Sequence, residues 1–269
     1  MTLIASWVNN EDRNNPSIWT LGDTKVSSVD GEETLSLEHG KVFELQIICA
    51  NSGLPPSPSN RVFQHSIGFA YAGSSLVGLN SYATLNTILS NISTIDKLPP
   101  SLEEICETVS KIIRYYSASF CNDKMAFEAM IYGYCVITNR LARYHFSKDG
   151  HSSDYSYKDI PDESILLLGD KKREVMEILY ASMHGQQGNY ARKPLKIIRD
   201  IIKSNSFPTI GGGTQLNIAN RAWCIPLQTL QSQPEISFRF RNIDIINDIG
   251  NRIGEKIINI PAMDFDFRK

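Results

Sequence analysis

The sequence predicts an α+β fold, a four-layer αββα sandwich, on three observations. Apolar runs with strand character fill the first third of the chain, over Thr2–Val8, Ser17–Leu21, Lys41–Ala50 and His65–Ala72. From Leu76 apolar residues recur at three- and four-residue steps, and a second such stretch follows from Ser101, the spacing of a helix pair. The same alternation then repeats, with further strands, a second helix pair and strands again. Two mostly antiparallel sheets, each covered on its outer face by two helices, bury all of these apolar surfaces together.

Each element has a local reason. The first two strands flank a polar segment, Asn9 to Pro16, that suits a hairpin with a long loop, and the Ser-, Pro- and Gly-rich stretch from Asn51 to Asn60 predicts an exposed loop. In the first helix Leu76, Leu79, Ala83, Ile88, Leu89 and Ile92 carry the helical period. In the second, Pro99-Pro100-Ser101 marks the start, Glu103 and Glu104 sit in the first turn, and Leu102, Ile105, Val109, Ile112, Ile113 and Tyr116 share a face. Strand character returns at Met125–Asn139, Ala142–Ser147 and Asp154–Lys158, with Asp149-Gly150 as a turn. The run Ser164 to Leu168 leads into helices over about Lys171–Met183 and Pro194–Lys203, followed by strands at Thr214–Asn220 and Ala222–Leu227. After Ser232 come an alternating strand, Ile236–Arg241, and a weakly helical segment from Asp244 to Ile258 interrupted by Gly250 and Gly254. One domain over residues 1–269 is expected, with an elaborated tail from about 232.

Bulk properties narrow the class. With 269 residues and 42% hydrophobic content the chain can bury one large core. The net charge of −2 and the scatter of its cations argue against a nucleic-acid partner. No stretch approaches the roughly 18 consecutive apolar residues of a membrane span, and no basic-then-apolar leader opens the chain, so a cytoplasmic location is expected. The five cysteines, Cys49, Cys106, Cys121, Cys135 and Cys224, form no CxxC pair, and five histidines show no HExxH spacing. Reduced thiols, no metal and no cofactor are the expectation. Gly211-Gly212-Gly213 precedes a strand and no Gly-Lys-Ser/Thr follows, so a tight turn accounts for it better than a phosphate loop.

Thr2 stands directly behind Met1 at the head of the first strand. A threonine hydroxyl is a weak nucleophile until a base takes its proton, and with Met1 removed the α-amine of the same residue supplies one. With a reference pKa of about 7.7–8.0, that amine is available as a base near neutral pH.

Four strand-end motifs extend this. Thr2 heads the first strand, Gly22-Asp23-Thr24 ends the second, Lys41-Val42 starts the third, and Ala72-Gly73-Ser74 ends the fourth just before a helix. Ile131-Tyr132-Gly133-Tyr134, Leu166-Leu167-Leu168-Gly169 and the Gly-rich turn before Thr214 continue the pattern. In these features the chain resembles the proteasome β-subunit family and its bacterial relatives, within the N-terminal nucleophile hydrolases, over most of residues 1 to about 230.

The resemblance implies a threonine-type amide hydrolase, acting on a peptide or another amide, with Thr2 as nucleophile. Lys41 would lower the hydroxyl pKa, Asp23 would hold Lys41 and offset its charge, and the Gly73 N–H would donate to the oxyanion. It also implies self-association. Two departures stand out. Where catalytic members carry a serine after the glycine, Gly169 is followed by Asp170, and Phe207-Pro208-Thr209-Ile210 replaces a late Asp and Ser. Asp170 then becomes the candidate acceptor for the ammonium, with Thr209, Ser206 and Ser204 as stand-ins. The alternative is a non-catalytic subunit of the same fold serving in assembly or binding.

Overall fold

The first strand is buried on both faces, as a continuous apolar run demands. The computed structural model describes residues 2–28, 33–51, 59–120, 127–148, 154–183, 192–231 and 237–264. In β1 (Leu3–Asn9), Leu3, Ala5 and Trp7 point into one core and Ile4 and Val8 into another. Strand β1 pairs antiparallel with β2 (Ser17–Asp23), so Trp7 and Trp19 face each other, with ring centroids 6.2 Å apart.

The short pair β3 (Val26–Ser27) and β4 (Thr34–Ser36) follows, and then β5 (Val42–Asn51) and β6 (Arg61–Ala72) form a long antiparallel hairpin. Helix α1 (Ser75–Leu89), the short strand β7 (Ile92–Thr94) and helix α2 (Leu102–Phe120) come next. Strands β8 (Glu128–Cys135), β9 (Arg140–Lys148), β10 (Tyr155–Asp159) and β11 (Leu166–Gly169) precede helices α3 (Lys172–Met183) and α4 (Lys193–Ser204). Strands β12 (Thr214–Ala219), β13 (Cys224–Gln231), β14 (Ser237–Phe240) and β15 (Ile243–Asp244) close the main body. Two short strands, β16 (Arg252–Ile253) and β17 (Lys256–Ile257), pair with each other, and β18 (Ala262–Asp264) adds parallel to β13. The fold is α+β with strands predominating.

One sheet runs β11-β1-β2-β12-β13-β14-β15, and the other runs β10-β9-β8-β6-β5-β7. Leu3, Trp7, Leu21 and Leu216 of the first sheet share a core with Val175 and Leu179 of α3 and Leu195, Ile198 and Ile202 of α4. Leu45, Ile67, Phe69 and Ile131 of the second pack with Val77 and Leu85 of α1 and Ile105, Val109 and Ile113 of α2. Ile4, Ile18 and Leu168 of one sheet meet Val42, Ala70, Met130 and Tyr132 of the other in a third core. Each large apolar side chain so buried contributes roughly 1.5–3 kcal/mol.

Helix starts follow the expected chemistry. At α2 the Ser101 hydroxyl accepts the Glu104 N–H at 3.2 Å while Glu104 accepts the Ser101 N–H at 2.7 Å, a reciprocal capping box. The face of α1 departs from expectation. Leu76, Leu79 and Ile88 are exposed, whereas Val77, Gly78, Ser81, Leu85 and Leu89 face inward. The cause is Tyr71 of β6: a Cβ on Gly78 would lie 2.3 Å from its ring, so small residues are needed on that face.

The tail also departs. Asp244 to Ile258 is a strand residue, a single π-helical turn over Ile245–Ile249 and the β16–β17 pair, not a helix, and Ile92 belongs to β7. Strands β14 and β15 extend the larger sheet through β13. The Asp149-Gly150 turn, most of the 51–60 loop, the first part of the 125–139 strand, Ile236 and Met1 lie outside the described residues.

Candidate active site

Thr2 is placed by backbone contacts from both neighbouring strands. It is 2% exposed and leads into β1. On one side Leu3 pairs with Gly169, the last residue of β11, and the Asp170 N–H donates to the Thr2 carbonyl at 2.8 Å. Gly169 has φ +97°, and a Cβ there would fall 1.9 Å from the Thr2 carbonyl oxygen and 3.2 Å from the Ala72 Cβ. Only glycine lets the two backbones come this close. The Gly169 N–H is itself held by Glu128 Oε2 at 3.1 Å.

On the other side lies Asp23, fully buried at the end of β2. Its Oδ1 accepts the Leu3 N–H at 3.1 Å and Lys41 Nζ at 3.0 Å, and its Oδ2 accepts the Gly211 N–H at 3.2 Å. One carboxylate therefore joins the head of β1, the lysine before β5 and the glycine run. Lys41 is 1% exposed, and its Nζ also donates to the Lys25 carbonyl. Two of the three ammonium donors are thus used inside the protein. Burial pulls the Lys41 pKa down against the opposing pull of Asp23.

The glycine run is shaped to this carboxylate. The Lys25 N–H donates to Gly211 O at 3.1 Å, the Gly213 N–H donates to the Thr24 hydroxyl at 2.6 Å, and a Cβ on Gly212 would lie 2.5 Å from that hydroxyl oxygen. The run is a close-packed turn against residues 23–25.

Gly73 takes φ +108° between β6 and the Ser74 cap of α1. The Tyr71 N–H donates to the Lys41 carbonyl at 3.2 Å, so β6 brings the Gly73 turn alongside Lys41. The contact of Gly169 with both Thr2 and Ala72 brings the same turn beside Thr2. Asp170 turns its side chain away from the β1 backbone: Oδ2 accepts the Thr209 hydroxyl at 2.7 Å and Oδ1 accepts the Lys171 N–H at 2.9 Å. Of the stand-ins expected from sequence, Thr209 joins the site. Ser204 and Ser206 bond each other at 2.6 Å at an exposed position.

Sequence reasoning missed Gln215. Its Oε1 accepts the N–H groups of Lys41 at 2.9 Å and Val42 at 3.2 Å, and its Nε2 donates to the carbonyls of Asp23 at 3.1 Å and His39 at 2.9 Å. One buried amide fixes the backbones carrying both charged residues. The signal was a glutamine inside an otherwise buried strand, whose polar ends require partners.

Among the described residues no cluster of three or more His, Cys, Asp or Glu side chains could hold a metal ion, and no helix is long and apolar enough to cross a membrane. Cys49, Cys106, Cys135 and Cys224 are free and buried.

No family model matches the chain, and no curated protein matches it. Solved structures do. An Anbu (Gly-1) mutant from Hyphomicrobium sp. strain MC1 aligns with TM-score 0.54 and 13% identity, covering 83% of this chain and 84% of its own. The helically assembled Anbu complex from Pseudomonas aeruginosa aligns with TM-score 0.56 and 13% identity over 93% and 91%. Anbu, the ancestral beta-subunit, from Yersinia bercovieri aligns with TM-score 0.55 and 12% identity over 82% and 81%. These neighbours correct the family expected from sequence. They are Anbu proteins, proteasome-like and distinct from the proteasome β-subunits to which the strand-end motifs pointed. At such identity the likeness is one of fold, and the fold of this chain is the proteasome-like fold of the Anbu proteins.

Proposed function

We propose that this chain is a threonine-type N-terminal nucleophile amide hydrolase that acts on peptide bonds once Met1 is removed. The observation that carries the reading is the single Asp23 carboxylate holding both the Leu3 N–H beside Thr2 and the Lys41 ammonium. In this reading the sheets and their helix pairs form the four-layer αββα sandwich of that superfamily, as one domain with a tail.

The Thr2 hydroxyl attacks the substrate carbonyl while its own α-amine takes the proton. Lys41, held by Asp23 and the Lys25 carbonyl, stabilises the developing alkoxide, and the Gly73 N–H donates to the oxyanion. The amine then passes its proton to the leaving nitrogen, leaving an acyl ester on Thr2. Water activated by the same amine hydrolyses that ester. The Asp170 N–H on the Thr2 carbonyl fixes the nucleophile's backbone, while its carboxylate is engaged by the Thr209 hydroxyl and the Lys171 N–H. Self-association fits the helical assembly of the Pseudomonas neighbour.

Intact-mass measurement and hydrolysis of a fluorogenic peptide panel test the reading together. Loss of Met1, turnover by the native chain and its abolition in Thr2→Ala are expected. A retained Met1 sinks it. The second reading, a non-catalytic subunit, is favoured by Asp170 standing where catalytic relatives place serine, and it predicts a retained Met1 and no turnover.

A further inference from the structure

The tail places a positive charge against Gly40 and Phe43, on either side of Lys41. Strands β14 and β15 are joined by a two-residue turn, Arg241-Asn242, with φ values of +52° and +70°. A turn with both residues left-handed ordinarily takes Asn-Gly, and a long side chain such as arginine in that region is held there at a conformational cost. The turn docks on the loops that build the site. Asn242 Nδ2 donates to the Leu37 carbonyl at 3.4 Å, and a Cβ on Gly213 would lie 2.7 Å from Asn242 Oδ1.

Arg241 itself lies against the residues beside Lys41. Its guanidinium carbon is 4.4 Å from the Phe43 ring centroid and 5.0 Å from that of Phe240. A Cβ on Gly40 would lie 3.2 Å from the Arg241 Cδ. Next to it, His39 Nε2 and the Tyr71 hydroxyl are 2.7 Å apart, and that hydroxyl donates to the Gly40 carbonyl at 3.2 Å. His39, Gly40 and Arg241 remain partly open to solvent.

What the arginine lacks is an anion. Its Nε is buried without a hydrogen-bond partner, and no carboxylate among the described residues pairs with it. Glu44, on the opposite face of β5 from Phe43, is engaged by Gln46 Nε2 at 2.6 Å. Aromatic faces hold a guanidinium by cation–π attraction and leave its in-plane N–H fork free for a carboxylate. Asp23, the buried carboxylate paired with Lys41, is already committed to that ammonium and is not a counter-ion for the guanidinium.

We propose that Arg241 is a specificity-determining residue of this site and selects an amide substrate carrying a carboxylate side chain next to the scissile bond. The inference rests on the reading of Thr2 as nucleophile. The acidic side chain replaces the missing counter-ion, takes the guanidinium fork, and seats the scissile carbonyl between Thr2 and the Gly73 N–H.

Two measurements separate this inference from the reading beneath it. The first is binding to the Thr2→Ala chain, by calorimetry, of a matched pair of short peptides differing only in Glu against Gln. The expected result is about tenfold or greater preference for the Glu peptide, as for a charge-assisted bidentate contact. Arg241→Met, which keeps a stem on Phe43, abolishes the preference, and Arg241→Lys retains part of it. Equal binding of the two peptides, or a preference unmoved by Arg241→Met, overturns the inference. The second is turnover of the same pair by the chain with a free Thr2 amine. Hydrolysis of both peptides at equal kcat/KM keeps the nucleophile and overturns the specificity. An inert chain that still binds the Glu peptide in an Arg241-dependent way fails as a hydrolase while Arg241 stands as its selector.

Discussion

Lys41 reaches Asp23 Oδ1 at 3.0 Å in a setting where both side chains are all but sealed from water, 2% and 0% exposed. Such a pair stabilises little against an apolar replacement, but breaking it is costly because the survivor is left charged and unpaired. Lys41→Met alone is expected to cost about 3–5 kcal/mol in denaturant unfolding. The double variant Lys41→Met/Asp23→Asn, which keeps an oxygen for the Leu3 N–H, should recover about half of that. Additive losses in the two variants would contradict the coupling.

Gln215→Leu removes both acceptor bonds to the Lys41 and Val42 N–H groups and both donations to the Asp23 and His39 carbonyls. At about 1–3 kcal/mol for each buried polar group left unpaired, the loss should exceed about 3 kcal/mol. Chemical unfolding measures it. A change below about 1 kcal/mol would mean the strands hold their positions without the amide.

Gly169→Ala combines a left-handed φ with a collision against the Thr2 carbonyl. The strain is worth about 1–3 kcal/mol, and relieving it must move either Thr2 or the end of β11. Both lower melting temperature and reduced acylation of Thr2 by an amine-directed or ester-forming probe are expected. Normal labelling in a destabilised variant would separate the strain from the nucleophile's placement.

Acid should unfold the chain earlier than its carboxylates alone require. Burial depresses the pKa values of His39, His65 and His145 below the usual 6.5, and near His39 the charges of Lys41 and Arg241 add to the effect. The unfolded chain then binds more protons than the folded one, so stability is complete above pH ~6.5 and falls as pH drops through the depressed values. Melting curves between pH 7.5 and pH 5, pH values chosen around that reference, should show a steady decline. A flat or rising melting temperature there would show that the imidazoles do not govern stability against the opposing carboxyls of Asp23 and Glu44, whose pKa values burial raises.

The strand half of the fold was legible because β1 and β6 are buried on both faces, so their apolar runs need no partner to be recognised. The strand-end positions of Thr2, Asp23, Lys41 and Gly73 were legible because a short motif marks each. The face of α1 was not: Leu76 and Leu79 carry the period, yet Tyr71 of a different strand decides that Gly78 and Ser81 lie inside. Gln215 and Arg241 escaped for a related reason. Their partners lie more than 170 residues away in the chain, and a polar residue in a strand or turn reveals nothing of such a contact until the sheets close. In sequence the tail reads as a weak helix that Gly250 and Gly254 interrupt. Both are instead left-handed turn residues, one ending the π-helical turn and one between β16 and β17.

The pinning of the Thr2 carbonyl by the Asp170 N–H fixes an order of events during synthesis. The groups that complete the surroundings of Thr2, at Gly169 and Asp170 and then at Thr209 to Gln215, leave the ribosome far later than Thr2 itself. The surroundings of Thr2 are therefore assembled only late in translation.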